Sequence, residues 1–333
     1  MKRRKRKGNR RGGTGLGWFS RGIRDGANWR TRFRGRPDAR TAAEAAHRSW
    51  SLIARKPGGR RRPWPAALRD GKRYVSGFWR GSGVRGQLIP VPLQGSAAAV
   101  LYAPRNASLL RGALRRLRRL PLREIVVLLP GDSSLALIAA ARTQPNVMIA
   151  YRPDLADSDV GRALGARITQ ADSVLFLDGG RPLKAERLAR FLWACDNGLD
   201  IALNDVTGKL GLFHTRQNVF RLAEFLNRTM NRRDLRANSL SSLPFALSRR
   251  ALDRLVPGPL AHPAQAQVIA MYSGLRVGIA GAVRPAIPSD TADRTGKAVR
   301  EHAEAWRTAL RHKGSRLLFP DTVRNRKLLE GWT

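Results

Sequence analysis

The sequence predicts an α/β fold, a mostly parallel, Rossmann-like sheet with helices on both faces. From about residue 95, short apolar runs that end in turn residues alternate with amphipathic stretches. Such runs are typical of strands buried on both faces, and their alternation with helices over short links predicts a doubly wound parallel sheet. The clearest run covers residues 173–178 and stops at a carboxylate that is followed by Gly179 and Gly180.

The predicted elements follow from local composition and spacing. The strands are residues 97–103, 124–129, 146–151, 173–178 and 200–204, and the helices between them are residues 108–120, 134–142, 160–171 and 182–197. Apolar residues recur at helical spacing in the last of these helices. Further along, we predict a helix over 264–273, a strand over 275–279 and a helix over 297–313. The order of the strands within the sheet does not follow from the sequence.

Positive charge is concentrated at the start of this 333-residue chain, whose formal net charge is +39. The first 90 residues hold 26 Lys and Arg against 4 Asp and Glu, and five of the eight Trp. Because Gly, Pro and Arg crowd the same region, we predict a largely extended or weakly ordered basic arm with one short helix near residues 42–54. Such an arm suits a nucleic acid, an anionic membrane surface or an acidic glycan, and a solubilising tail is the alternative.

The single cysteine and the hydropathy pattern bear on the compartment. Cys195 has no cysteine partner, which excludes an intramolecular disulfide and a cysteine-based zinc site. No apolar run approaches the roughly 18–20 residues of a membrane span. The basic residues 2–7 are followed by a Gly- and Arg-rich segment and not by the apolar stretch of a signal peptide. We therefore expect a cytoplasmic protein, with peripheral contact to a membrane as an open alternative.

Asp178 is the first candidate site residue. Ligands of open α/β sheets bind beyond the carboxyl ends of parallel strands, and Asp178 ends the clearest predicted strand. A carboxylate placed there, beside glycines that let a phosphate or a sugar approach the backbone, suits a cation or a nucleotide. The alternative is an Asp that only turns the chain after a strand.

Four motifs occur in order along the predicted sheet. They are residues 103–106 after the first strand, residues 124–133 across the second, residues 161–167 in a helix and residues 175–180 at the central strand. Together they resemble the nucleotide-sugar half of family-2 glycosyltransferases of the GT-A fold, and residues 238–250 resemble their acceptor-side strand and helix. The resemblance implies transfer of a sugar from a nucleoside diphosphate sugar to a glycan, lipid or small acceptor.

The sequence predicts three regions, and the resemblance implies a set of site residues. Residues 1–90 would be the basic arm, residues 95–290 a GT-A-like domain and residues 291–333 a C-terminal helical extension. The nucleotide-sugar pocket would be lined by Asn106, Asp132, Gly161, Arg167, Asp178 and Gly179. Arg181 joins Arg167 as a candidate for bidentate contacts with the diphosphate.

The metal site that the resemblance implies is incomplete in this sequence. In the family, an Asp-x-Asp pair chelates Mg²⁺ or Mn²⁺ that bridges the diphosphate. Asp178 corresponds to the first acid, but Gly180 stands where the second would be, which weakens the expected site. His302 is the candidate for a second metal ligand, with a surface histidine as the alternative.

Other departures from the family leave the function open. Leu129 and Pro130 replace the paired acids that hold uridine and ribose, and Asp132 is the nearby substitute. The family's general base would align near residues 261–263, where His262 is the titratable residue, and the catalytic base stays unassigned. Two alternatives to an active transferase therefore remain. One is an inactive GT-A scaffold that binds a partner or a glycan, and the other is a polyanion-binding protein that acts through the arm.

Overall fold

The computed structural model describes residues 15–55, 63–131, 133–152, 158–256, 258–283, 292–314 and 317. The chain divides into two compact units, residues 1–94 with 115–122 and residues 95–114 with 123–333. No helix among the described residues is long and apolar enough to cross a membrane. The helices and strands are, in chain order, α1 (Gly15–Arg32), α2 (Ala39–Ala54), α3 (Trp64–Ser82), β1 (Ala97–Tyr102), α4 (Ala107–Leu117), β2 (Glu124–Pro130), α5 (Leu135–Ala141), β3 (Val147–Arg152), α6 (Ser158–Ile168), β4 (Ser173–Asp178), α7 (Ala185–Asp196), β5 (Ile201–Asn204), α8 (Asn218–Thr229), β6 (Phe245–Ser248), α9 (Arg249–Leu255), α10 (Pro263–Tyr272), β7 (Val277–Gly281) and α11 (Ala292–Lys313).

The N-terminal unit contains the packed helices α1, α2 and α3, so the prediction of a weakly ordered arm is wrong for its described residues. Helix α2 includes the one helix that the sequence predicts within this region, near residues 42–54. Asp38 caps α2 by accepting a hydrogen bond from the Thr41 amide at 2.7 Å. The aromatic residues supply the buried area that orders the unit. Its core is formed by Ala42, Ala46, Trp50, Tyr74, Val75 and Phe78.

Helices α1 and α3 approach each other backbone to backbone through glycines spaced four residues apart. A Cβ atom at Gly22 or Gly26 would lie 2.1 or 2.3 Å from a backbone carbonyl oxygen of α3. A Cβ atom at Gly77 or Gly81 would lie 2.1 or 2.0 Å from a backbone carbonyl oxygen of α1. The four-residue spacing places each pair on one helix face, where only glycine permits so close an approach.

His47 is a largely buried histidine of α2. Its Nε2 lies 3.1 Å from the Val91 carbonyl oxygen and 3.3 Å from the Ser51 hydroxyl oxygen. Burial disfavours the charged imidazole and lowers the pKa of His47 from 6.5 to about 4. The unfolded chain therefore takes up a proton at a higher pH than the folded chain does. The stability that the neutral ring contributes is complete above pH 6.5 and is lost as the pH falls towards 4.

We expect the N-terminal unit to lose up to about 3 kcal/mol of unfolding free energy from this histidine as the pH falls from 6.5 to about 4. Tryptophan fluorescence during urea unfolding measures the loss, because five of the eight Trp lie in the first 90 residues. His47→Gln should flatten the pH dependence. His302→Gln, in the other unit, is the control and should leave it unchanged. An equally steep pH dependence in His47→Gln would contradict this assignment.

The second unit contains a seven-stranded sheet in the order β3-β2-β1-β4-β6-β5-β7, which confirms the predicted mostly parallel α/β class. Strands β3, β2, β1 and β4 are parallel neighbours, and β7 is parallel to β5. Strand β6 runs antiparallel to β4 and β5, a direction that the sequence does not predict. Strand β4 has the predicted bounds.

Helices cover the sheet closely. A Cβ atom at Gly165 of α6 would lie 2.4 Å from Cγ1 of Val100, so α6 lies directly on β1. The predicted C-terminal helix is α11, which packs on α8 and α10 and belongs to the second unit. The buried residues of this contact are Leu226, Met230, Ala264, Val268, Ala305 and Ala309.

Candidate functional site

The carboxyl ends of β1 and β4 form a topological switch point. The chain runs from β1 outward to β2 and β3 and then returns to place β4 on the other side of β1. Connections therefore diverge at this edge, and open α/β sheets bind their ligands in the crevice outside such a point. The residues at the edge are 103–106 after β1 and 178–180 at the end of β4.

Asp178 and Gly179 hold the end of β4 against β1. Asp178 is paired in register with Tyr102, and the Gly179 amide donates to the Tyr102 carbonyl oxygen at 3.0 Å. A Cβ atom at Gly179 would lie 2.8 Å from Cδ of Pro104 and 3.0 Å from the Tyr102 carbonyl oxygen. Glycine at position 179 is therefore required by the close approach of the two segments.

The Asp178 carboxylate closes a turn. Its Oδ1 accepts a hydrogen bond from the Gly180 amide at 2.8 Å, which occupies one of the two carboxylate oxygens. Gly180 does not have a positive φ, so its backbone conformation is open to residues with a side chain. A Cβ atom at Gly180 would lie 3.2 Å from Oδ1 of Asp178.

These residues do not fit the metal site that the resemblance implies. Mg²⁺ and Mn²⁺ prefer several oxygen ligands in near-octahedral geometry. In the described part of the chain, no group of three or more His, Cys, Asp or Glu side chains could hold a metal ion. Gly180 supplies no carboxylate, and Oδ1 of Asp178 already accepts a hydrogen bond. Among the described residues of this turn, Asp178 is therefore the one carboxylate that could contact a cation.

His302 lies on α11 and is buried. Its Nδ1 is 2.8 Å from the Ala298 carbonyl oxygen, and its ring centroid is 6.1 Å from that of Trp306. Burial lowers the pKa of the imidazole, which favours the neutral ring. The alternative of a surface histidine is therefore wrong. None of the contacts of the described residues joins His302 to Asp178, and its role as a metal ligand stays a prediction.

Asn106 begins α4 at the switch point. Its Oδ1 accepts hydrogen bonds from the amides of Ser108 and Leu109 at 2.8 and 3.2 Å, so the side chain caps the helix. The residue lies at the edge expected for a nucleotide contact, although its side-chain oxygen is used in capping. Asp132, the predicted partner after β2, lies outside the described residues.

Gly161 and Arg167 lie towards opposite ends of α6. Gly161 is buried in the first half of the helix, and Arg167 is exposed in its last turn. Because α6 leads into β4, its last turn lies at the amino-terminal edge of the sheet. Asp178 lies at the other edge, about 16 Å away at ~3.3 Å per strand residue. The structure therefore does not bring Arg167 and Asp178 to the same edge of the sheet, and the role of Arg167 as a nucleotide-sugar contact stays a prediction.

Tyr151 is an edge residue that the sequence analysis did not select. It lies near the carboxyl end of β3, its side chain is 50% exposed, and its hydroxyl donates to the Gly131 carbonyl oxygen at 3.1 Å. Strands β3 and β4 are three strand spacings apart, or about 14 Å, which is comparable to the length of a nucleoside diphosphate. The sequence signal that could have identified Tyr151 is an aromatic residue at the end of a predicted strand.

Asp205 is a second acid at the same edge. Leu175 of β4 and Ala202 of β5 both pair with Ala246 of β6, so Asp205 lies at the level of Asp178, two strands or about 10 Å away. Its Oδ1 accepts a hydrogen bond from the Thr207 amide at 3.1 Å. The sequence shows an acid directly after a predicted strand, but only the strand order relates it to Asp178.

Comparisons with known proteins give structural similarity alone. No family model matches the chain, and no curated protein matches it. Glucosyl-3-phosphoglycerate synthase from Mycobacterium tuberculosis, solved with Mn²⁺, UDP and phosphoglyceric acid, is 16% identical over 69% of this chain and 81% of that chain, with a TM-score of 0.47. The mannosyltransferase PcManGT from Pyrobaculum calidifontis, solved with GDP-Man and Mn²⁺, is 15% identical over 82% and 75%, with a TM-score of 0.44. Because these identities and TM-scores are low, any function has to be argued from the residues of this chain itself.

Proposed function

We propose that the second unit binds a nucleoside diphosphate sugar at the carboxyl edge of β1 and β4 and transfers its sugar to a glycan, lipid or small acceptor. The carrying observation is that Asp178 and Gly179 lie against residues 102–104 at a topological switch point. The four motifs that resemble family-2 glycosyltransferases support the choice of ligand.

In this proposal, protein groups and not a divalent cation offset the diphosphate charge. Arg105 and Arg181 flank the edge residues in sequence, and guanidinium groups can pair with phosphate through two parallel hydrogen bonds. The amino end of α4, which Asn106 caps, adds the positive end of a helix dipole. Asp178 accepts a hydrogen bond from a ribose or sugar hydroxyl through the carboxylate oxygen that does not bond to Gly180.

The same edge offers groups for the nucleobase and the acceptor. The exposed ring of Tyr151 is suited to stack on the base. Asp205, about 10 Å from Asp178 across the edge, leaves room for a sugar ring between the two acids. We assign it as the base that takes the proton of the acceptor hydroxyl. The acceptor oxygen then bonds to the anomeric carbon, the bond from that carbon to the phosphate oxygen breaks, and the nucleoside diphosphate leaves.

A second candidate function is a scaffold that binds the sugar nucleotide, a glycan or a partner without turnover. The observation that favours it is the turn that Asp178 forms with Gly180, in which the position of the family's second acid carries no carboxylate. Binding and turnover therefore have to be measured separately.

A thermal-shift panel of nucleotide sugars on the full chain, with Mn²⁺ or with EDTA, tests the proposal. We expect one nucleotide class to stabilise the chain in both conditions, by about 2.7 kcal/mol at a ligand concentration of 100 Kd. Release of the nucleoside diphosphate then separates the transferase, which turns over, from the scaffold, which only binds. The absence of a shift with every sugar nucleotide would contradict the proposal.

A further inference from the structure

The exposed face of α3 carries a row of cations. The charged residues exposed on this 19-residue helix, about 28 Å long, are Arg69, Lys72, Arg73 and Arg80. Lys72 and Arg73 follow Arg69 by three and four residues, and Arg80 follows Arg73 by seven. This spacing places the four residues along one side of the helix. The one acid of the helix, Asp70, is buried.

The acids of the N-terminal unit do little to offset this row. Asp25 accepts a hydrogen bond from the Tyr74 hydroxyl at 2.8 Å, and Asp38 caps α2. Glu44 forms an ion pair at 3.1 Å with Arg40 of its own helix, and the buried Asp70 lies 3.5 Å from Nε of Arg69, one member of the row. These four are all the acids among the first 90 residues, which hold 26 Lys and Arg. The unit is therefore strongly cationic on its outside.

Among the described residues of the unit, one large apolar side chain is exposed. Leu52 of α2 is 74% exposed and lies one turn after the exposed Arg48. Exposing such a side chain to water is unfavourable, whereas the boundary between lipid headgroups and acyl chains would bury it and lower the free energy. The rings of Trp50, Tyr74 and Phe78 lie in the core, where nucleobases could not stack on them, and Trp18, Trp29 and Trp79 pack against this core and are partly buried.

We propose that the N-terminal unit docks on an anionic lipid surface, with the α3 row of Arg69, Lys72, Arg73 and Arg80 against the headgroups. Charge complementarity supplies the attraction. The exposed Leu52 favours lipid over nucleic acid. The proposal is independent of sugar transfer, because it rests on residues of the other unit.

The test is co-sedimentation of the full chain with phosphatidylcholine vesicles that contain or lack phosphatidylglycerol, at low and at physiological salt. Each cation near such a surface is worth about fivefold in affinity. Neutralising the row should therefore weaken binding to the anionic vesicles several-hundredfold. The row variant is Arg69→Gln, Lys72→Gln, Arg73→Gln and Arg80→Gln. The control variant removes the same charge from exposed residues of the second unit with Arg187→Gln, Arg228→Gln, Arg300→Gln and Arg311→Gln.

We expect the control variant to bind within a few-fold of the wild type. Equal losses in the two variants would overturn the proposal, because net charge and not the α3 row would then decide binding. Duplex DNA that binds more tightly than the vesicles and displaces the protein from them would also overturn it. Leu52→Ser is a second variant that leaves the charge unchanged. It should weaken binding to vesicles and leave binding to DNA unaltered, and the reverse pattern would count against a lipid partner.

Discussion

Replacing Gly22 with Ala should disrupt the packing of α1 on α3. The new methyl carbon would stand 2.1 Å from the Tyr74 carbonyl oxygen and 2.9 Å from the Phe78 amide nitrogen. Both are backbone atoms, so no side-chain rotation relieves the overlap and the helices have to separate. Because Tyr74 and Phe78 belong to the core of the unit, separation also removes their contacts. We expect a loss of about 3 kcal/mol or more in the unfolding free energy of the N-terminal unit.

Gly17→Ala is the matched control on the same helix. No atom lies within 4 Å of a Cβ atom at position 17, so the methyl group meets no obstacle. Alanine in place of a helical glycine should stabilise the unit by up to about 1 kcal/mol. Urea unfolding followed by tryptophan fluorescence compares the two variants. Equal unfolding midpoints for Gly22→Ala and the wild type would show that the helices do not pack through these glycines.

The sheet of the second unit could be predicted because its strands carry their own signals. Residues 174–177 of strand β4 are apolar and are bounded by Ser173 and Asp178, so the limits of the strand follow from the sequence. Strand β6 has four residues, and its direction is set by pairing with β4 and β5. Pairing between distant segments leaves no local pattern, which is why the antiparallel strand and the strand order came only from the structure.

The prediction for the N-terminal unit was wrong because it relied on the high net charge of the region and not on the helical spacing of its apolar residues. Trp50, Tyr74 and Phe78 lie on the buried faces of their helices. Most of the arginines that dominate the composition are exposed. The glycine pairs were also present in the sequence, at a spacing that permits close helix packing. Composition alone does not distinguish a basic disordered arm from a helical unit with a cationic surface.

The position of a candidate site residue could be predicted where it depends on one strand, but not where it depends on the order of several strands. Asp178 is at the carboxyl edge because β4 ends there. Arg167 lies at the opposite edge because α6 runs back across the sheet to the start of β4, so that its last turn lies beside the amino end of that strand. Tyr151 and Asp205 follow from the order of β3, β4 and β5, which the sequence does not show.

Replacing Asp178 with Asn should lower the affinity for the sugar nucleotide at least tenfold, or about 1.4 kcal/mol. Asparagine can still accept the hydrogen bond of the Gly180 amide, but it loses the charge-assisted bond to a ligand hydroxyl. Asp172→Asn, at the other end of β4, is the matched control. Its carboxylate accepts hydrogen bonds from the Ser96 amide and hydroxyl, both at 2.7 Å, so its loss should cost stability and leave the affinity unchanged. Calorimetric titration measures both variants.

Gly180→Asp should make binding depend on a metal ion. The absence of a positive φ at Gly180 allows the substitution, and the nearest atom, Oδ1 of Asp178, can move by rotation of its side chain. Two adjacent carboxylates repel a diphosphate without a cation and hold Mn²⁺ when it is present. We expect wild-type affinity to be equal in Mn²⁺ and EDTA, and the variant to bind about tenfold more tightly in Mn²⁺. A wild type that already requires Mn²⁺ would refute the metal-independent site. If Asp178→Asn altered only stability, Asp178 would be a turn residue and not a ligand contact.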